Sequence, residues 1–222
     1  MTEKSKELPL KGWDRIYLSP EDYQYYDLFK PHESMAKVAA YFHNQGVINV
    51  LDIGCGAGSN LFTLLREGFN LTGVDQSPQS VAIVKKISEQ VKKEVAVLQA
   101  RFQNLPFPDS SFDALIAIQT LNHGYEEDIR KGISEIERVL KPQGLIFITV
   151  PGRIANGETR YCLVKTARKV NERVYLPEKG QEAGIPHFIY NKNILRMHYQ
   201  NFKLIETWKD SKDYYCFLGR KK

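Results

Sequence analysis

The chain has only three cysteines, Cys55, Cys162 and Cys216, odd in number, far apart and unaccompanied by His or Cys at metal-ligand spacing. That argues against a disulfide framework and against a resident metal, and for reduced thiols in a cytoplasmic protein. No apolar run approaches the roughly 18 residues of a membrane span, so no membrane partner is expected. The first residues, Met-Thr-Glu-Lys-Ser-Lys-Glu, are polar and lead into no apolar segment, so nothing resembles a secretory signal. Repeats and low-complexity segments are missing too.

What is present is ordinary in amount and uneven in placement. With 42% apolar and 26% charged residues, the 222 residues suit one α/β domain spanning 1–222, long enough to bury about 70% of its unfolded surface. The net charge of +5 divides into −3 over residues 1–150 and +8 over 151–222. The basic C-terminal excess is either a solvated face or the mark of an anionic partner, a small molecule or nucleic acid.

The most informative stretch is Val-Leu-Asp-Ile-Gly-Cys-Gly-Ala-Gly-Ser-Asn, residues 50–60. Asn49, Val50, Leu51 and Ile53 read as a short buried parallel strand, and Leu61, Leu64 and Leu65 carry a helical pattern behind the glycines. Glycines at 54, 56 and 58 open backbone conformations closed to other residues and clear side chains from the helix N-terminus. Leu71-Thr-Gly-Val-Asp75 is a second strand ending in an acid about 20 residues on, the spacing at which a carboxylate reaches a ribose diol. The dinucleotide fingerprint Gly-x-Gly-x-x-Gly would need glycine at 59, where Ser59 stands.

Gly-x-Gly-x-Gly with Asp52 before it, Leu105-Pro-Phe-Pro-Asp-Ser-Ser-Phe-Asp113 and Leu140-Lys-Pro-Gln-Gly144 behind it resembles the class I S-adenosylmethionine (SAM)-dependent methyltransferases. Among these the chain looks closest to the small single-domain branch typified by quinone-biosynthesis enzymes, well over residues 36–151 and loosely elsewhere. The resemblance implies an α/β, Rossmann-like, doubly wound seven-stranded sheet, mostly parallel with an antiparallel C-terminal strand, and helices on both faces. It places the cofactor SAM on Asp52, Gly54, Cys55, Gly56, Asp75, Gln76, Arg101, Phe102 and Gln119. Asp52 is expected to orient the turn and the methionine amino group, and to stay ionised among glycine amides. Arg101 departs from the family, which commonly has Asp there. A guanidinium accepts nothing from the adenine amino group, so adenine must rest on the Phe102 backbone, apolar contacts or stacking.

Along the chain, the ring-rich residues Trp13, Tyr17, Tyr23, Tyr25, Tyr26 and Phe29 either pack the first helix onto the body or cap a cationic sulfonium, and residues 1–45 read as a helical lid. Pro31 suits the first position of a helix carrying Met35, Val38, Ala39 and Phe42. Helices over about 60–67, from Ser77-Pro78 onward and over 128–140 alternate with strands at 95–98, 112–118 and 144–150. His123 follows the fourth strand, where open α/β sheets bind ligands. Residues 151–190 break the alternation and read as a substrate cap, with Arg153, Arg160 and Arg168 facing an anionic acceptor group or solvent. Asn191 caps a last helix, and 202–208 and 214–218 can pair as an antiparallel edge.

Methyl transfer requires alignment and water exclusion more than a triad. His123 and His187 are the candidate bases for an acceptor that must lose a proton. A small-molecule acceptor, an RNA or protein acceptor meeting the basic C-terminal region, and SAM binding without transfer remain the three readings.

Overall fold

The structure is a computed structural model that describes residues 11–17, 28–155, 158–159 and 167–222. A seven-stranded sheet forms its centre: β1 (Asn49–Ile53), β2 (Asn70–Asp75), β3 (Ala96–Gln99), β4 (Phe112–Ile118), β5 (Leu140–Val150) and two late strands, Phe202–Lys209 and Tyr215–Lys221. Helices α1 (Lys11–Ile16), α2 (Met35–Asn44), α3 (Ser59–Arg66), α4 (Pro78–Val91) and α5 (Glu126–Val139) connect or precede its strands. After β5 come the short β6 (Ile154–Ala155), β7 (Glu158–Thr159), β8 (Arg168–Lys169), β9 (Val174–Leu176) and β10 (His187–Phe188), then α6 (Lys192–His198). The late strands are therefore β11 and β12.

The sheet order is β11-β12-β5-β4-β1-β2-β3, parallel through β3-β2-β1-β4-β5, with β12 antiparallel to both β5 and β11. Chain order reverses between β1 and β4, so their carboxyl ends splay apart and leave a crevice there. β1 is buried from Val50 to Ile53 and β4 from Ala114 to Ala117, the all-apolar pattern of strands covered on both faces. One apolar cluster, with Leu51, Ile53, Leu115, Ile129, Ile133 and Ile136, fills the α5 face. The other, with Val38, Phe42, Leu61, Leu64, Val84 and Phe147, fills the opposite face beneath α2, α3 and α4. Most residues of the helix stripes read from the sequence are buried, Leu65 being half-buried. Among the described residues no helix is long and apolar enough to cross a membrane.

Boundaries differ where local chemistry intervened. Pro31 does not open α2, because the His32 ring holds the preceding turn: its Nδ1 accepts from the Ser34 amide at 3.1 Å and its own amide donates to Asn60 Oδ1 at 2.7 Å. The helix therefore starts at Met35. α5 begins two residues before the expected Asp128, because that side chain reaches back to the Tyr125 amide at 3.0 Å and caps the helix. β5 begins at Leu140, without the loop expected before Gly144, and absorbs Lys141-Pro142-Gln143 through a register shift against β4.

Candidate active site

Three glycines bend the chain at the end of β1. Gly54, Gly56 and Gly58 have φ of 69°, 55° and 86°, values at which a Cβ costs about 1–2 kcal/mol. A Cβ on Gly54 would lie 2.2 Å from Thr120 Oγ1, and one on Gly58 2.8 Å from the Phe62 ring. The turn thus lies tight against the β4 exit. Its amides are already engaged: Gly54 and Cys55 donate to the Val74 carbonyl at 2.8 and 3.1 Å, and Gly58 to that of Cys55 at 2.9 Å. Gly56 donates to Asp75 Oδ2 at 3.0 Å. A pyrophosphate would need such donors free.

Asp75 ends β2 and ties the site together. Its Oδ1 accepts from the Ser77 amide at 2.9 Å, while Ser80 at the start of α4 donates to the Gly56 carbonyl at 2.6 Å. Burial raises the Asp75 carboxyl above its usual range, and the Ser77 and Gly56 amides oppose that rise. Ser77 caps α4 with Pro78 at its first position, as the sequence indicates.

Asp52 behaves differently from the expectation. It lies behind the turn, 1% exposed, and its Oδ2 has no hydrogen-bond partner among the described residues. The glycine amide it was expected to meet goes to Asp75. Burial, reinforced by the Asp75 charge, pushes the Asp52 carboxyl up to about 8 rather than leaving it ionised. The folded chain then binds a proton that the unfolded chain has released above the ordinary carboxylate value of 3.8, so stability is lost as pH rises from about 4 to about 8. Thermal unfolding of the ligand-free chain across that window should show this decline, and Asp52→Asn should flatten it. An unchanged slope in the variant would exonerate Asp52.

A cavity of about 890 Å³ runs from this turn to the far end of the crevice. Gly54, Cys55, Gly56, Asp75, Gln76, Arg101, Phe102 and Gln119 all line it, whereas Asp52 does not. Gln119 takes φ 52° as β4 ends, its amide donating to Thr149 Oγ1 at 3.0 Å. Such left-handed residues gather at functional turns. Phe102 is wedged against α5, where a Cβ on Gly132 would come 2.3 Å from the ring. Trp13 and Tyr17 of the N-terminal segment line the cavity, and the Trp13 ring meets His123 at 4.6 Å. Tyr23, Tyr25 and Tyr26 lie outside the described residues, and Phe29 is exposed.

At the far end the two predicted histidines meet. His123 and His187 face each other edge-on at 4.9 Å, and their backbones form an antiparallel bridge. The Gly124 amide donates to the Pro186 carbonyl at 2.9 Å and the Phe188 amide to that of Asn122 at 2.7 Å, so the β4 exit loop is joined to the segment carrying His187. Burial lowers His123 well below its usual range, with His187 adding to the effect, and burial takes His187 down to about 4. Both imidazoles are therefore neutral at pH 7.

Sequence reasoning missed Glu182, whose Oε2 lies 3.3 Å from His187 Nε2 and whose carboxyl burial pushes up to about 7. It also missed Asn122, 3% exposed, with an Oδ1 that has no partner among the described residues. Only Glu182 had a signal, an acid five residues before the histidine in Gln-Glu-Ala-Gly-Ile-Pro-His. Of the three cap arginines expected to face an acceptor or solvent, two are described. Arg153 donates to Tyr175 Oη at 3.1 Å and Arg168 pairs with Glu178 at 3.4 Å, so neither lines the cavity; Arg160 lies outside the described residues. The cations on the cavity wall are Lys30, Arg101, Lys179 and Lys212.

Residues 51–148 match the methyltransferase domain family. A sterol 24-C-methyltransferase of Gibberella zeae is 35% identical over 112 residues, 48% of this chain and 29% of that protein. A tRNA N(3)-methylcytidine methyltransferase of Schizosaccharomyces pombe is 26% identical over 185 residues, 80% of this chain and 57% of that protein. The chain thus spans only part of the length of these relatives. The fold superposes on a 1,6-didemethyltoxoflavin-N1-methyltransferase of Burkholderia thailandensis, bound to 1,6-didemethyltoxoflavin and S-adenosylhomocysteine, with TM-score 0.69 and 17% identity over 97% of this chain and 88% of that one.

Proposed function

We propose that this chain, which carries the domain and the fold of the class I SAM-dependent methyltransferases, methylates a small-molecule acceptor held in the crevice at the carboxyl ends of β1 and β4. The observation that carries this reading is one continuous cavity joining the glycine turn and Asp75 to the two histidines. Its volume, about 890 Å³, lies near the upper end of the roughly 300–1,000 Å³ of small-ligand sites, room for a nucleoside-type donor and a modest acceptor together.

The residues fit SAM. Because the turn's amides are engaged internally, the site suits a donor with no phosphate and disfavours a dinucleotide. Asp52 does not line the cavity, so it would support the turn from behind and make no direct contact with the donor. Asp75 and Gln76 would hold the ribose, Arg101 and Phe102 the adenine, and Gln119 the methionine end. When bound, SAM supplies a methyl group already activated by its sulfonium. The chain's part is to align the acceptor and exclude water, an effect that reaches roughly 7–11 kcal/mol in well-oriented systems. Trp13 and Tyr17 close one side, as a lid over residues 1–45 would, and the 151–190 segment closes the other. His123 and His187, neutral and facing the acceptor end, are placed to orient it and take its proton.

Calorimetry with SAM and S-adenosylhomocysteine, followed by a methylation screen of small hydroxyl, amine and carbon acids, tests the reading. Binding of NAD without SAM would overturn it. Removal of residues 1–30 is expected to weaken SAM binding more than it lowers the melting temperature, and equal affinity in the shortened chain would refute the lid. An RNA acceptor is the second reading, favoured by the extent of the match to the tRNA enzyme. It predicts affinity falling steeply with salt, whereas a small acceptor predicts little dependence.

A further inference from the structure

The far end of the cavity holds more than a pair of bases. His123, Glu182 and His187 come from the β4 exit loop and from two points of the segment before and within β10, and their ligand-type atoms all lie within 4.8 Å of one another. Backbone hydrogen bonds on either side of the histidines, at Gly124 and Phe188, hold the two segments together, and the Trp13 ring packs against that of His123. Glu182 sits on a short loop closed on itself by Ala183 N–H to Gly180 O at 3.2 Å and Gly184 N–H to Pro177 O at 2.8 Å. Two imidazoles and one carboxylate thus lie close together on the cavity wall.

We propose that His123, Glu182 and His187 form a binding site for one divalent transition-metal ion of the zinc class at the acceptor end of the cavity. Two imidazoles and a carboxylate are the ligand set of zinc and its first-row neighbours, at bonds of about 2.0–2.2 Å. Glu182 Oε2 is already 3.3 Å from His187 Nε2, and closing the triangle from at most 4.8 Å asks for small side-chain movements. Three protein ligands leave the fourth position open toward the cavity, the arrangement of a reactive rather than a structural site. One carboxylate against a dication leaves net positive charge, so the open position suits an acceptor oxygen whose proton passes to solvent, the two histidines then serving as ligands in place of the base role given above. That last step rests on the acceptor reading above; the metal site itself stands on the ligand geometry.

The second cluster of ligand-type residues, His32, Asp210 and Cys216, differs in a decisive way. His32 Nδ1 accepts from the Ser34 amide and Nε2 pairs with Asp210 Oδ2 at 3.0 Å, while Asp210 Oδ1 accepts from the Lys212 and Tyr214 amides. It is a closed hydrogen-bonded set that joins α2 to the β11–β12 turn.

The test is titration of the chelator-stripped full chain with Co²⁺, followed by d–d absorption, with Zn²⁺ displacement and calorimetry. One equivalent should bind; His123→Gln/His187→Gln should weaken binding by more than about 100-fold and Glu182→Gln by more than about 10-fold. His32→Gln should leave it unchanged. Circular dichroism checks folding, and Glu182→Gln, which alters only a surface-closed loop, keeps the test valid should the double variant not fold. No stoichiometric Co²⁺ or Zn²⁺, binding retained by the double variant, or loss confined to His32→Gln overturns the site. S-adenosylhomocysteine binding to the same stripped sample reports separately on the donor half, so either reading can fail alone.

Discussion

Asp75→Ala is expected to raise the dissociation constant for S-adenosylhomocysteine by roughly 10- to 150-fold, the 1.5–3 kcal/mol scale of hydrogen bonds to a charged group. The carboxylate has two tasks. It is the strand-end acid on the cavity wall, and its separate oxygens hold the Gly56 and Ser77 amides, so its loss also leaves two donors unmatched beneath the turn. Asp75→Asn should recover little, because one of those amides would then face an NH₂ group. Calorimetry with folded variants decides the matter: an affinity within about twofold of the parent would remove Asp75 from the donor site.

Gly54→Ala is expected to be the most disruptive single methyl group. It forces a left-handed φ of 69° on a side chain and puts the new Cβ 2.2 Å from Thr120 Oγ1. The first effect costs about 1–2 kcal/mol and the overpacking about 1–3 kcal/mol. Together they correspond to a fall in melting temperature of roughly 5–15 °C for a chain this long. Gly46→Ala is the natural control, since Gly46 has φ 70° with nothing within 4 Å of an added Cβ. It carries the conformational cost without the collision. Equal melting temperatures for the two variants would show that Thr120 yields freely and that the close approach of β1 and β4 is not rigid.

The sheet and the donor half were legible because both are written in local sequence. Apolar runs marked β1, β4 and β5, periodic stripes marked α2 to α5, and three alternate glycines with an acid at the next strand end marked the turn. What local sequence could not show was which acid meets which amide. Asp52 looked closest to the glycines, yet a strand residue two positions earlier points behind the turn, and Asp75 arrives from the neighbouring strand to take the Gly56 amide. Asn122 was invisible, and Glu182 marked only by its nearness to His187, for a related reason. Their meeting with His123 and His187 depends on backbone pairs between segments about 60 residues apart, which no periodicity encodes. The basic residues of 151–190 misled because charge shows composition and not direction; Arg153 and Arg168 settle on Tyr175 and Glu178.

The backbone pairing between the β4 exit and β10 also bears on traffic through the crevice. Gly124 and Phe188 bond across it, the Tyr190 amide bonds to Pro151, and the Tyr190 hydroxyl donates to the Leu121 carbonyl at 3.1 Å. At about 1 kcal/mol net for each bond, swinging this whole wall outward would cost several kcal/mol every turnover. The loop at 178–183 makes its backbone bonds within itself, at Gly180–Ala183 and Pro177–Gly184. It can tip as a unit while the wall behind it stays fastened. Ligand exchange on this side is expected to move this small flap and to leave the fastened wall behind it in place.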